Sequence, residues 1–217
     1  MPVSLIHDVD VSILHLGDDE NWFTSAWLDR VESCLDEAVH RAPAALVTVG
    51  DGKFYSNGLD VTLLTGDPEA AAAYSARVQR LFSRILTAPI PSIAAVNGHA
   101  FGAGAMLALA HDFRLMDAER GFFCFPEVNI KIPFTSGMAA LIQSKLTPAA
   151  AVEAMTTGRR YGGPDALMRG LVDRTVAPEQ LLAAAIETAQ ALGGKDAATL
   201  GAIKAMMFAS PASALAR

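Results

Sequence analysis

The run Pro91-Ser-Ile-Ala-Ala-Val-Asn-Gly-His-Ala-Phe-Gly-Ala-Gly-Ala-Met106, continuing through Leu-Ala-Leu-Ala110, constrains this chain more than any other stretch. Ile93 to Val96 is a short apolar segment bounded by Pro91 and by Asn97-Gly98, the pattern of a buried strand. A turn and a helix of small residues follow. Gly102, Ala103 and Gly104 fall where that helix begins, so their N–H groups lack an intrahelical carbonyl and no bulky side chain shields them. Together with the helix dipole, such donors can hold an anion, either a bound phosphate or an oxyanion that develops during a reaction. Two plainer readings stand beside this one. The glycines could simply let the helix pack closely on the sheet, or residues 93–110 could cross a membrane. Asn97, His99 and the interrupting glycines argue against a span, which needs ~20 apolar residues in a row. A dinucleotide fingerprint fails as well, because Leu107 stands where its third glycine belongs.

The 217 residues suit one compact unit, and a hydrophobic content of 52% is ample for a buried core. Lys plus Arg number 17 against 23 Asp plus Glu, a formal net charge of -6 with no basic block, so no nucleic-acid partner is expected. Cys34 and Cys124 are the two cysteines, and the start Met-Pro-Val-Ser-Leu-Ile-His-Asp lacks the basic and apolar regions of a signal peptide. A soluble protein of a reducing compartment, the cytoplasm, is the expectation, with no membrane partner.

Taken in order, Val3–Leu5 and Val9–Ile13 alternate and read as a hairpin. Thr24 or Ser25 caps a helix whose Trp27, Val31, Leu35, Ala38 and Val39 share a face, ending before Pro43. Ala44 to Val49 reads as a fully buried strand, and Gly50 to Asp60 as a turn-rich loop too polar for the core. Tyr74, Val78, Leu81, Phe82 and Ile85 mark another helix, with Arg77, Arg80 and Arg84 on a second face that is either solvated or turned to a polyanion. Phe113–Met116 and Phe122–Phe125 are strand candidates. The repeated strand, strand, helix order predicts an α/β core over residues 1–135. From Ser136 onward helices dominate (138–145, 148–157, 164–169, 178–192 and 196–208), with one strand at Leu171–Val176. This helical region, 136–217, is expected to belong to the same compact unit.

For chemistry, the five histidines are scattered and no HExxH or paired-cysteine arrangement occurs, so no metal is expected. No serine sits in a G-x-S-x-G elbow. Carboxylate chemistry remains, and Glu127 stands out between Phe122-Phe-Cys-Phe-Pro126 and the apolar Val128, Ile130, Ile132, Pro133 and Phe134. Desolvation there raises its pKa above ~4.3, so that it can take and return a proton. The alternative is a strand-end glutamate pointing into water.

Ser56-Asn-Gly-Leu-Asp60, Ile90 to Ala105, His111-Asp-Phe-Arg114 and Phe125-Pro-Glu-Val128 resemble the successive signatures of the enoyl-CoA hydratase/isomerase (crotonase) superfamily, and Gly158–Tyr161, Ala166–Asp173 and Ile203–Met206 match its order. The resemblance covers roughly residues 44–208. It implies a spiral of strand-strand-helix units followed by a C-terminal helical region that mediates trimer contacts, in a homotrimer or dimer of trimers. It also implies an acyl-CoA substrate and no separate cofactor, coenzyme A being part of the substrate. Carried over by position, the N–H groups of Asn57 and Ala103 form the oxyanion hole and Glu127 is the acid–base residue. Ser56, Gly58, Asp60 and Gly102 belong to the substrate-binding loops, Asp60 more as a cap than as an acid. Met106, Phe101 and Phe125 help form an apolar acyl pocket.

The departures matter equally. Hydratases of the superfamily use two glutamates, and the position of the first is Met106. A lone carboxylate cannot hold water between an acid and a base, whereas it can move a double bond by removing an α-proton and returning it at the γ-carbon. The Glu127 segment and Asn129-Ile-Lys-Ile-Pro133 are also more similar to Δ3,Δ2-enoyl-CoA isomerases than to hydratases. Many relatives extend beyond the position of Arg217, so coenzyme A adenine and phosphate contacts from that region are not carried over. Lys53 is either a phosphate partner or a solvated lysine. The resemblance therefore predicts a Δ3,Δ2-enoyl-CoA isomerase. The alternatives are a hydratase or another enolate-forming acyl-CoA enzyme, and, from a different class, a non-catalytic acyl-CoA-binding paralogue.

Overall fold

In the computed structural model, residues 2–42 and 44–217 are described; Pro43, read above as a helix stop, lies outside them. Strands β1 (Ser4–Asp8) and β2 (Val11–His15) form the expected antiparallel hairpin. Helix α1 (Ser25–His40) follows, capped by the Thr24 hydroxyl, which accepts the Trp27 N–H. Strand β3 (Ala45–Val49) is buried throughout. The stretch Gly50–Asp60 is not the polar surface loop expected, because strand β4 (Phe54–Ser56) lies within it and Tyr55 and Ser56 are buried. Helix α2 (Pro68–Leu86) begins with Asp67 as cap and proline in its first turn, where a missing N–H costs nothing.

The central run holds two strands and a helix: β5 (Ser92–Val96), β6 (His99–Phe101) and α3 (Ala103–Ala110). Strands β7 (Phe113–Asp117) and β8 (Phe123–Cys124) come next, followed by one turn of helix, α4 (Glu127–Ile130). Helices α5 (Ser136–Lys145), α6 (Pro148–Thr157) and α7 (Gly163–Met168), strand β9 (Arg174–Val176), and helices α8 (Leu181–Leu192), α9 (Ala197–Met207) and α10 (Ala209–Leu215) complete the chain. Strands β4 and β6 and helices α4 and α10 go beyond the elements legible in the sequence.

Two sheets result. A six-stranded sheet has the order β1-β2-β3-β5-β7-β9, parallel apart from the β1–β2 hairpin, and a parallel three-stranded sheet has the order β4-β6-β8. The pairs β3–β4, β5–β6 and β7–β8 each place the first strand in the large sheet and the second in the small one, which makes the spiral. Alternation along β5 separates the two faces of the large sheet: Ala94 and Val96 pack with α1, α2 and α3, while Ile93 and Ala95 pack under α8. The chain after residue 136 thus returns to the sheet, through β9 beside β7 and α8 across its second face. All eight residues of α3 are buried, which explains its lack of a polar stripe. The basic face of α2 is occupied by its neighbour: Arg77 pairs with Asp29 and Glu32, and Arg84 with Asp36, all on α1. Among the described residues no helix is long and apolar enough to cross a membrane.

Candidate active site

The turn after β4 is tied down by buried polar groups. Asn21 donates its side-chain amide to the carbonyls of Gly17, Phe54 and Tyr55. The Ser56 hydroxyl donates to the Asn21 carbonyl (2.7 Å) and accepts the Gly58 N–H (3.0 Å). Gly58 has φ +84°, and a β-carbon there would meet the Phe101 carbonyl oxygen at 2.7 Å and the Ala103 nitrogen at 2.9 Å, so only glycine lets this turn approach the start of α3. Asp60 accepts the Thr62 N–H (3.0 Å) and its hydroxyl (2.6 Å), capping the single 3-10 turn Val61–Leu64.

On the opposite side, Gly102 donates its N–H to the Cys124 carbonyl (2.9 Å), fixing the entry to α3, and Met106 makes the first helical bond back to the Gly102 carbonyl (3.0 Å). The Ala103 N–H, at the first position of α3, has no acceptor among the described residues. The other expected donor must be corrected. Asn57 gives its N–H to the Glu20 carbonyl (2.9 Å), so that hydrogen is already spent. Two residues further on, the Leu59 N–H has no acceptor among the described residues, and Leu59 lines the same cavity as Ala103. The turn therefore offers Leu59, not Asn57, as its free donor.

Pro126 ends the β8 segment and Glu127 opens α4. Glu127 is only 8% exposed and does not point into open water. Its Oε2 atom is buried without a hydrogen-bond partner, while Oε1 lies 3.3 Å from where a β-carbon on Gly102 (φ +52°) would stand. Burial raises the carboxyl pKa to about 7, opposed only by a backbone hydrogen bond.

Glu127, Ala103 and Leu59 meet in a cavity of about 490 Å³. Its walls come from Trp22, Val61 and Leu64 on one side and from Ile130, Ile132, Pro133, Phe134 and Met138 on the other, with Ser75, Thr135 and Asn57 as further polar groups. Glu127 is the only ionisable side chain among these described lining residues. It also borders a more open groove of about 430 Å³ with Val128, Lys131 and Met155.

Of the other expected substrate-binding residues, Gly102 lines the cavity and Gly58 shapes it from behind. The rest need correction. Ser56 is fully buried and spends its hydroxyl inside the turn. Asp60 acts as a helix cap and does not reach the lining. Met106 faces the core on a helix buried all round. Phe125 stands behind the wall, edge-on to Phe134, which is the ring that lines the cavity (centroids 6.2 Å). Phe101 turns to the outside of the small sheet, stacked on His99 (5.0 Å) with the Arg160 guanidinium 5.4 Å from its ring. Lys53 is exposed, its ammonium 5.6 Å from the Phe54 ring. Among the described residues no group of three or more His, Cys, Asp or Glu is arranged to hold a metal ion.

The fold is that of the crotonase superfamily: a protein of Mycobacterium tuberculosis, called an enoyl-CoA isomerase in one solved structure and a probable enoyl-CoA hydratase in another, superposes with a TM-score of 0.90 at 26% identity, the first structure covering 99% of this chain and 94% of that one. The enoyl-CoA hydratase/isomerase family model matches residues 18–217. Enoyl-CoA delta isomerase 1, peroxisomal, of Arabidopsis thaliana is 33% identical over 162 residues, 72% of this chain and 67% of that protein. Carnitinyl-CoA dehydratase of Salmonella typhi is 36% identical over 160 residues, 74% of this chain and 61% of that protein. The chain belongs to the enoyl-CoA hydratase/isomerase family.

Proposed function

We propose that this protein is a Δ3,Δ2-enoyl-CoA isomerase working through one carboxylate. The observation that supports the reading is the solitary Glu127 in a cavity otherwise lined, among the described residues, by non-ionisable side chains, with Leu59 and Ala103 in the same lining and no acceptor for their N–H groups among the described residues. The thioester carbonyl of a 3-enoyl-CoA accepts both hydrogens. Ionised Glu127 removes a proton from C2, and the C–H electrons form a dienolate with negative charge on the thioester oxygen. That charge is where the two donors act, each worth roughly 3–4 kcal/mol in the barrier. The carboxylic acid then returns the proton to C4, leaving the double bond between C2 and C3 and Glu127 ionised again. A pKa of about 7 suits a group that must act as base and then as acid. The apolar walls suit the hydrocarbon chain.

We extend the proposal to a homotrimer, supported by apolar side chains left exposed on α7 and α9, Met168 at 76% and Met206 at 83%. We extend it also to a reducing compartment, the cytoplasm or a peroxisome, in keeping with two free buried thiols and with the Arabidopsis relative's name.

The test offers 3-enoyl-CoA and 2-enoyl-CoA separately and follows the conjugated thioester absorbance. Isomerisation appears as gain from the first. Loss from the second with no gain from the first identifies a hydratase, a reaction class represented by the dehydratase relative. Tight acyl-CoA binding without turnover of either leaves a binding protein.

A further inference from the structure

Beneath the cavity, outside its lining, three buried side chains form one continuous chain of hydrogen bonds. Tyr55, Thr48 and His111 are each at most 1% exposed. The Tyr55 hydroxyl lies 2.8 Å from Thr48 Oγ1, Thr48 Oγ1 lies 3.0 Å from His111 Nε2, and His111 Nδ1 lies 2.8 Å from the Leu107 carbonyl oxygen. The direction of every bond follows from one end. A carbonyl can only accept, so Nδ1 carries the imidazole proton. The ring is neutral: burial, reinforced by the charges of Lys204, Lys145 and Arg114, drives its pKa down to about 3. A neutral ring protonated at Nδ1 has a bare Nε2, which takes the Thr48 hydrogen. Thr48 then has only a lone pair left to offer, and Tyr55 donates to it.

The chain joins the two arms of the site. Tyr55 is in β4, immediately before the turn that carries the Leu59 N–H, and Leu107 is one helical turn beyond Ala103 in α3. Each arm also has anchors of its own, Asn21 and Ser56 at the turn and the Gly102–Cys124 bond at the entry to α3, and the chain adds side-chain hydrogen bonds that run from one arm to the other. Strand β4 has a short pairing with β6, with a register shift between Phe54 and Ser56. Helix α3 is held by apolar packing, which has no direction, and among the described residues His111 makes the one side-chain hydrogen bond to its backbone. We propose that Thr48, Tyr55 and His111 are positioning residues that set the spacing between the Leu59 and Ala103 donors. This rests on the oxyanion hole proposed above. An oxyanion hole is sensitive to such spacing, because its donors must converge on one developing charge, and a misplacement of about 1 Å can cost about a hundredfold in rate.

The experiment compares Thr48→Val, Thr48→Ser and Tyr55→Phe with the unaltered protein in two readouts: kcat and KM on a 3-enoyl-CoA, and the absorbance shift of bound cinnamoyl-CoA, which reports how strongly the hole polarises the thioester carbonyl. Thr48→Val keeps the shape and removes both bonds. It is expected to lower kcat by about 10- to 100-fold with KM within about threefold, and to shrink the shift. Thr48→Ser, which keeps the hydroxyl, is expected to restore both. A lower melting temperature with kcat and shift unchanged would make the chain merely structural and overturn the inference. If Thr48→Val does not fold, Tyr55→Phe decides, since it removes the Tyr55 hydroxyl and with it only the terminal hydrogen bond of the chain. A smaller loss of kcat with a reduced shift supports the inference, and unchanged values overturn it. An unaltered protein that binds cinnamoyl-CoA without any shift would instead sink the oxyanion hole itself.

Discussion

Glu127 has an energetic signature that separates its chemistry from its packing. Its pKa is raised from 4.5 to about 7, so the folded state prefers the protonated carboxyl. That stabilisation is fully present below pH 4.5 and is lost as pH rises through 7, where the ionised group must stay buried. Glu127→Gln is therefore expected to match the unaltered protein in stability near pH 4.5 and to exceed it above pH 7, by up to ~3 kcal/mol in denaturant titrations. The same variant should lose ~10²- to 10⁴-fold in turnover of 3-enoyl-CoA, and kcat/KM of the unaltered enzyme should fall as pH drops below about 7, where the base becomes protonated. A neighbouring probe is Gly102→Ala. Its β-carbon would stand 3.3 Å from Glu127 Oε1 at a φ of +52°, so activity should drop with little change in KM, measured on the same substrate. At this scale the acid was legible, because a charge set among Phe, Pro, Val and Ile announces desolvation. The partner donor was not. Main-chain hydrogens in Ser56–Asp60 have no side-chain signature, and what consumes the Asn57 N–H is Glu20, from a segment more than thirty residues away in sequence.

Among the elements, α3 is the one whose start is proposed to take part in the chemistry. Ala103→Pro deletes the proposed donor at a first-turn position where proline's ring is tolerated. It should fold, as judged by circular dichroism, and lose ~10²- to 10³-fold in kcat; normal turnover in a folded variant would remove Ala103 from the hole. Long elements were readable in advance, α1 with Thr24 as one of its two candidate caps. The caps Asp67 and Thr147, which bond N–H groups of the first turns they precede, are additions of the structure. Short ones were not. Strands β4 and β6 have three residues each and α4 has four, too few for a period to show, and their identity comes from pairing with distant segments. The three arginines of α2 read as a solvated face with a polyanion as the alternative, and the carboxylates of α1 that meet two of them occupy a separate helix. Those pairs are surface contacts, so Arg77→Ala should cost no more than ~1 kcal/mol in a denaturant titration.

Over the whole molecule, the cavity is assembled from four stretches of chain, around residues 22, 57–75, 102–103 and 127–138, and their convergence is a product of the spiral rather than of any local pattern. The strand, strand, helix order made the α/β core readable and the family resemblance implied the spiral, while Ser75 and Met138, on α2 and α5, gave no sign of sharing a wall. The later part of the chain is locked to the sheet by Arg114, only 4% exposed, which donates to the Leu171 carbonyl (3.0 Å) and to Asp173 (2.8 Å). Asp173→Ala would remove the ion-pair partner of that guanidinium, and because Asp173 is 40% exposed and the Leu171 bond remains, the cost in global stability measured by denaturant unfolding is ~1–3 kcal/mol. One buried carboxylate, Glu127, is proposed to carry a proton from C2 to C4 of the same substrate molecule. A single turnover of a C2-protiated 3-enoyl-CoA in D2O, with the product examined by NMR, tests this most directly. Transfer of the C2-derived protium, seen as CH2 rather than CHD at C4 in a measurable fraction of the product, is the predicted result; CHD at C4 in all of the product would contradict it.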